Sequence, residues 1–209
     1  FFFKQKTAYE IPKRDWSSDV CSSDLKDLVT LAKSSKNDLT YATTGAGSTP
    51  HLSAEMFRLH AGGMRMLHVP YRGTPPAMTD LVSGQVSFMF ANLLSVVPQV
   101  QQGRLRALAI TSAKRSGITP SIPTVAETYP GYESGSWYAI YAPTGTPAVA
   151  VARLHEAVTR ATQSPEVREK FIAQGAEILS GSQQEAHAYT KSEVVKWGKV
   201  VKASGAKAE

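Results

Sequence analysis

The chain has 209 residues, of which 42% are hydrophobic and 19% are charged, so a packed globular core is expected and wholesale disorder is excluded. The formal net charge of +6 favours anionic partners only mildly, and the basic residues are scattered rather than clustered with aromatic residues, which argues against a nucleic-acid partner. No apolar run reaches the roughly 18 residues that a transmembrane helix requires.

The first 25 residues differ in character from the rest of the chain. They show neither helical nor strand periodicity, and residues 4–11 and 15–25 resemble translated pieces of a common sequencing adapter. We therefore interpret residues 1–25 as adapter-derived and exclude them from the fold prediction, with a genuine unstructured arm as the alternative. The single cysteine, Cys21, lies in this segment and predicts no intrachain disulfide. We also expect the native gene, and any signal peptide, to begin upstream of Lys26.

From residue 26 the pattern is typical of an α/β protein. A short amphipathic helix over 26–35 precedes three strand–loop–helix units and a further strand. The predicted strands span 39–42, 66–69, 86–90 and 105–110. The predicted helices span 50–61, 75–84 and 93–103, and we expect Thr74 to cap the second of them. This alternation favours a mostly parallel sheet flanked by helices. Ligands of such sheets bind beyond the carboxyl ends of the strands, so the loops that follow them should meet at one rim.

After residue 131 the pattern changes. We predict two strands, over 136–142 and 176–179, and three helices, over 148–162, 165–174 and 183–202. The helices have apolar faces but little sheet to cover, so we expect their partner strands to be missing. On the last helix we expect Trp197 and Val200 to share a face with Val194 and Val201.

The stretch over residues 40–52 carries the clearest chemical signal. A β-prone run ends in small and hydroxylated residues, including Gly45 and Gly47, and a helix follows with Pro50 in its first turn. Such a loop offers backbone N–H groups, hydroxyl groups and the positive end of a helix dipole, which together suit an anion. An ordinary helix start capped by Ser48 or Thr49 is the alternative.

A set of short runs occurs in a fixed order along the chain: KDLV at 26–29, GAGS at 45–48 with HL at 51–52, HVPYRG at 68–73, LVSGQV at 81–86, GRLRALA at 103–109, IPTVAE at 122–127 and KWGKVV at 196–201. In this order they resemble the substrate-binding proteins of the tripartite tricarboxylate transporter family, also called Bug proteins. The resemblance implies a type II-like periplasmic-binding-protein clamp, N-terminally truncated. Residues 26–135 would form most of its second domain, and 136–209 the returning part of the first, whose N-terminal half is missing.

The resemblance also implies a function. We expect a periplasmic, non-enzymatic protein that captures a small carboxylate in an interdomain cleft and delivers it to the membrane subunits of a tripartite tricarboxylate-type transporter. We expect no cofactor or metal, no nucleic acid, and a monomer at full length. The predicted ligand-binding residues are Thr43, Thr44, Gly45, Ala46, Gly47, Ser48, Thr49, Tyr71, Arg72, Gly73 and Asn92. Ala91 departs from the family, where an acidic residue commonly precedes this asparagine, so the ligand preference of relatives does not transfer directly.

Two other functions are weighed. A serine hydrolase or transferase would use Ser48 with His51 or His68, but no G-x-S-x-G elbow occurs. A phosphate loop is weakly indicated, because Gly45 and Gly47 lack the following Gly-Lys-Ser/Thr. For His51 we expect a structural capping role, with donation to an anion as the alternative. The other histidines, at 60, 68, 155 and 187, lack metal-ligand spacing.

Overall fold

The computed structural model describes residues 2–5 and 7–12 as backbone, and residues 25–117, 119–173 and 176–206 in full. Strands and helices alternate along the chain, as predicted from residue 25 onward. In chain order the elements are β1 (Phe2–Gln5), β2 (Thr7–Pro12), α1 (Leu25–Ser34), β3 (Leu39–Thr43), α2 (Thr49–His60), β4 (Met66–Pro70), α3 (Thr74–Ser83), β5 (Phe88–Asn92), α4 (Leu93–Gln101), β6 (Leu105–Ile110), α5 (Val125–Thr128), β7 (Ser136–Ala139), α6 (Ala148–Gln163), α7 (Pro165–Ala173), β8 (Ala176–Leu179) and α8 (Gln183–Ser204).

The larger sheet has five strands in the order β4-β3-β5-β2-β6. Strand β3 pairs in parallel with both β4 and β5. Strand β2 pairs antiparallel with both β5 and β6, so β6 runs in the same direction as β3, β4 and β5. Four of the five strands are therefore parallel, which confirms the predicted α/β class with a mostly parallel sheet.

Both faces of this sheet are buried, as the alternation along β5 shows. Phe88 and Phe90 belong to a cluster beneath α1, α2, α5 and the end of α8, whereas Met89 and Ala91 belong to a second cluster beneath α3 and α4. Because successive side chains of a strand point to opposite faces, a strand covered on both sides is apolar throughout. The predicted buried strand is present, two residues later than expected.

The smaller sheet has the order β7-β1-β8, with antiparallel pairing on both sides of β1. Its helices leave large apolar side chains in contact with solvent: Val149 is 67% exposed, Leu154 53% and Ile172 56%. Helix α7 has no buried residue at all. The apolar faces predicted for these helices are therefore largely uncovered. The division of the chain into domains at 26–135 and 136–209 stays a prediction.

Strands β1 and β2 differ from the prediction, which found no strand periodicity in residues 1–25. Each lies between two strands whose backbone groups would otherwise be unpaired, and extended backbone supplies N–H and C=O groups whatever the side chains are. The adapter origin of this segment stays a prediction, and Cys21 lies outside the described residues. Leu25 begins α1 and is buried in the first cluster.

The buried face of α8 is one residue out of phase with the predicted one. Trp197 and Val200 pack on the first cluster, as expected, but Val194 and Val201 are 66% and 37% exposed. Glu193 occupies the buried position instead, and its carboxylate accepts a hydrogen bond from Trp197 Nε1 at 3.0 Å. A buried glutamate four residues before a partly buried tryptophan cannot be recognised from a pattern of apolar residues.

Candidate functional site

The loops that follow β3, β4 and β5 begin at one rim of the larger sheet. The register places Thr43 opposite Pro70, and the backbone N–H of Tyr71 donates to the carbonyl of Thr43 at 3.0 Å. Strand β5 lies on the other side of β3 and runs in the same direction, so Asn92 ends at the same edge. The structure therefore brings the three predicted loops to the carboxyl ends of parallel strands, the usual ligand position in such sheets.

Residues 44–49, here called the first rim loop, are half-buried and reach solvent. Thr43, which leads into the loop, is fully buried. Its hydroxyl donates to the carbonyl of Gly45 and accepts from the Gly45 N–H, both at 3.2 Å, and lies 2.6 Å from His68 Nε2. Thr43 is thus committed to shaping the loop, whereas the residues after it face outward.

Three of the six backbone amides of the first rim loop are used in internal hydrogen bonds. The N–H of Gly45 donates to the hydroxyl of Thr43, the N–H of Gly47 donates to His51 Nδ1 at 2.9 Å, and the N–H of Ser48 donates to the carbonyl of Gly45 at 3.3 Å. Among the hydrogen bonds described for this loop, none uses the amides of Thr44, Ala46 or Thr49. Of these three donors, those of Ala46 and Thr49 lie nearest along the chain to the N-terminus of α2, the positive end of its dipole, where an anion is favoured.

The glycines set the path of the first rim loop rather than supplying free donors. Gly45 and Gly47 have φ values of 129° and 72°, in the region where a side chain is strongly disfavoured. Ser48 then caps α2 by accepting from the His51 N–H at 3.4 Å, and its own hydroxyl donates to the carbonyl of Gly45 at 2.7 Å. The predicted Ser48 cap is therefore confirmed, and anion binding by the same loop stays a prediction.

Two histidines lie stacked behind the first rim loop. The rings of His51 and His68 are parallel to within 5°, with centroids 4.0 Å apart, and the ring of Tyr41 stacks on His68 at 5.1 Å. Burial lowers the pKa of His51, and burial together with the neighbouring His51 lowers the pKa of His68 to about 4. Both imidazoles are therefore neutral at pH 7.

Residues 71–73, here called the second rim loop, follow β4. The Tyr71 hydroxyl donates to Asp80 at 2.7 Å, and burial and this carboxylate raise the pKa of Tyr71 to about 12. Arg72 is exposed. Gly73, not Thr74, precedes the first turn of α3, which corrects the predicted Thr74 cap; with φ at 105° Gly73 lets the chain turn sharply into the helix.

Asn92 ends β5 and precedes α4 with an exposed side chain that makes no capping hydrogen bond. Its side chain therefore lies exposed at the carboxyl end of β5. Ala91, in contrast, is buried in the second cluster between the sheet and its helices. The residue that departs from the family pattern therefore packs in the core.

Two features of the site were not predicted from the sequence. His51 accepts a hydrogen bond from the loop through its side chain, whereas a capping role had been expected, and His68 is its stacking partner. Behind them the Tyr41 hydroxyl donates to the buried Glu55 at 2.8 Å, and Arg58 lies 2.8 Å from the same carboxylate. The described residues contain no cluster of histidine, cysteine and acidic side chains suited to a metal ion, and no described helix is both long and apolar enough to cross a bilayer.

Comparisons with known proteins match this architecture. The profile of the "Tripartite tricarboxylate transporter family receptor" matches residues 17–206. Protein BugT of Bordetella pertussis is 35% identical over 184 residues, covering 88% of this chain and 56% of the relative. The chain thus spans about half the length of the curated relatives it matches.

Solved structures give the same result. The structure described as R. palustris Rpa4515 with adipate aligns with a TM-score of 0.81 at 32% identity, covering 99% of this chain and 67% of that one. MatC from Rhodopseudomonas palustris with bound malate aligns with a TM-score of 0.76 at 28% identity, covering 95% and 67%. The fold is thereby confirmed as that of the periplasmic binding proteins. With a family profile matching nearly the whole sequence, the chain belongs to the tripartite tricarboxylate transporter receptor family.

Proposed function

We propose that this chain carries the carboxylate-binding rim of a periplasmic solute-binding protein, which captures a small carboxylate between two domains and delivers it to the membrane subunits of a tripartite transporter. The observation that carries the proposal is the first rim loop at the N-terminus of α2. The backbone amides of its residues Ala46 and Thr49 donate no described hydrogen bond within the protein. Relatives solved with adipate and malate support a dicarboxylate as the ligand.

The chemistry of the rim suits reversible binding. Hydrogen bonds from neutral amides to a carboxylate contribute roughly 1.5–3 kcal/mol each, enough for capture without preventing release. Among the described residues of the rim, the stacked histidines are neutral and Arg72 is exposed, so none of these three side chains would hold the anion as a buried cation. We propose that Asn92 and the second rim loop contact the remainder of the ligand, with Tyr71 held in place by Asp80.

The hydrolase alternative gains no support from the geometry. A serine nucleophile needs a base that accepts its proton and is itself oriented. Here the Ser48 hydroxyl donates to the Gly45 carbonyl, while His51 Nδ1 accepts from the Gly47 amide and His68 Nε2 lies against Thr43. In these hydrogen bonds neither imidazole accepts from the Ser48 hydroxyl, so the pair of nucleophile and base is not formed. We therefore propose a binding function and no catalysis.

The proposal is tested by NMR titration of the protein with adipate, malate and monocarboxylates. The amide signals of Ala46 and Thr49 should shift on binding, and a ligand at a hundred times its dissociation constant should stabilise the fold by about 2.7 kcal/mol. Thr49→Pro removes one donor at the first helical position, where proline is well tolerated. It should weaken binding roughly 10- to 150-fold, the equivalent of one such hydrogen bond.

Ala148→Pro is the matched control, because it places proline at the first residue of α6, far along the chain from the rim. This variant should bind like the parent protein. The proposal would be contradicted if no carboxylate shifted either amide, or if Thr49→Pro and Ala148→Pro bound the ligand equally well.

A further inference from the structure

The hydrogen bond between Gly47 and His51 defines the protonation state of the histidine. An N–H group donates only to a lone pair, so Nδ1 of His51 is unprotonated when it accepts from Gly47 at 2.9 Å. A protonated imidazole carries hydrogens on both nitrogens and cannot accept this bond. The position of the second glycine in the first rim loop therefore depends on a neutral His51.

His68 holds the other end of the same loop. Its Nε2 lies 2.6 Å from the hydroxyl of Thr43, which in turn contacts both the N–H and the carbonyl of Gly45. The two imidazoles are thus joined to the two glycines that set the path of the loop. Their face-to-face contact at 4.0 Å links the two attachments into one unit.

The groups around the pair favour its neutral form. The second imidazole lowers the affinity of the first for a proton, since two imidazolium rings at this distance would repel each other. Glu55 on α2 acts in the opposite direction, but it is already bonded to Arg58 on the same helix and to the hydroxyl of Tyr41 on β3. Burial outweighs the carboxylate, and the pKa of each imidazole is lowered.

We propose that the stacked His51–His68 pair positions the first rim loop for anion binding, holding it while both rings are neutral and releasing Gly47 when His51 is protonated. The consequence for binding is opposite to that of simple charge attraction. A cation beside the rim would strengthen anion binding on acidification, whereas loss of the Gly47 hydrogen bond displaces Ala46 and Thr49 and weakens it. That the ligand is a carboxylate rests on the proposed function. The holding of Gly47 by neutral His51, here called the lock, does not depend on it.

The lock can be observed without ligand, by histidine side-chain nitrogen NMR and amide hydrogen exchange of the protein between pH 8 and pH 4. His51 should show an unprotonated Nδ1 at pH 7 and a protected Gly47 amide. The amide hydrogen exchange rate of Gly47, corrected for the intrinsic pH dependence of exchange, should rise about tenfold as His51 takes up a proton. This increase matches the loss of about one hydrogen bond.

Substitutions separate positioning from simple packing. His51→Ala removes the acceptor, so Gly47 should lose its protection at every pH. His51→Asn keeps an acceptor on the γ-carbon, where Nδ1 is attached, but cannot be protonated; Gly47 should stay protected and its pH dependence should disappear. The exposed His187 supplies the control, and His187→Ala should change neither property. If His51→Ala did not fold, the pH titration of the parent protein and the His51→Asn variant would still decide the question.

Binding is then measured with adipate and malate between pH 7 and pH 5.5. The parent protein should bind more weakly at the lower pH, and His51→Asn should remove the part of that change not due to ligand protonation. Equal Gly47 protection in the parent and His51→Ala, tighter binding by the parent on acidification, or loss of the lock in His51→Asn would overturn the proposal. A pH-dependent lock in a protein that binds no carboxylate would support the positioning role and refute the proposed function.

Discussion

The two sheets of this protein are flanked by similar helices, yet among the described residues the helices around the larger sheet bury far more side chains. Around the larger sheet, α2 buries six of its twelve residues, including Phe57, which is fully enclosed. Around the smaller sheet, the sixteen residues of α6 include one buried residue, and α7 includes none. An amphipathic pattern therefore predicts a helix in both regions but predicts burial only where an opposing surface exists.

Core truncation should give the largest difference between the regions. Phe57 packs edge-on against Tyr129 and Tyr132 in the first cluster, so Phe57→Ala leaves a cavity and should destabilise the fold by about 3–5 kcal/mol. Ile172→Ala removes an aliphatic side chain that is mostly exposed on α7 and should change stability by less than about 0.5 kcal/mol. Urea unfolding followed by circular dichroism measures both values. Equal losses would mean that α7 is packed as tightly as α2.

The same contrast shows which parts of the fold were predictable from sequence. The order of elements around the larger sheet followed from apolar runs such as β5 and from glycines at helix ends such as Gly84. The rim followed from the parallel alternation of strands and helices. Strands β1 and β2 were missed because their place in the sheets depends on backbone hydrogen bonding. The periodicity of side chains carries no information about such bonds.

The histidine pair at the site was missed for a different reason. His51 and His68 are far apart in sequence and meet only because the parallel register sets His68 opposite Tyr41, while α2 returns over the same face. No local pattern encodes a strand register. The loop and the helix start that follows it were predicted from the small residues of the loop and the proline after it, whereas its role in anion binding stays a prediction. The sequence did not reveal that the amides of Gly45 and Gly47 are used internally.

A second, smaller effect is a pH dependence of the free energy of unfolding that comes from His68, beside the larger sheet. In the unfolded chain an imidazole takes up a proton near pH 6.5, whereas folded His68 does so only near pH 4. Between these values the unfolded state binds more protons, so stability falls as the pH is lowered from 6.5 to 4. We expect a contribution of about 1 kcal/mol, because the ring is only partly buried and solvent screens part of the shift.

Thermal unfolding at pH 4, 5, 6 and 7 measures this effect, and two variants locate it. His68→Phe keeps an aromatic ring for stacking but does not titrate, so the dependence should flatten in this window. His187→Ala, on an exposed position of α8, should leave the dependence unchanged. Because burial also lowers the pKa of His51, part of the slope should remain in His68→Phe. A slope as steep as that of the parent protein would place the responsible group elsewhere.

The smallest expected losses of stability come from removing two serine helix caps, which make the same kind of hydrogen bond in different surroundings. Ser48 caps α2, which is packed in the core, and Ser182 caps α8 with a capping box completed by Glu185. Ser48→Ala should lower the global stability by about 1 kcal/mol, the usual loss for a cap. Ser182→Ala removes a similar hydrogen bond from the end of α8 that lies beside the smaller sheet, so it should cause local fraying instead.

Amide hydrogen exchange separates these two outcomes, because it reports opening residue by residue. After Ser182→Ala, exchange should accelerate in the first turn of α8 while the amides around Val200, which packs on the first cluster, keep their protection. After Ser48→Ala, protection should fall throughout the larger sheet. If Ser182→Ala lowered the protection of both ends of α8 and of the larger sheet alike, the two regions would unfold as one unit. The exposed helices would then be stabilised by the core through α8, despite having almost no buried side chains of their own.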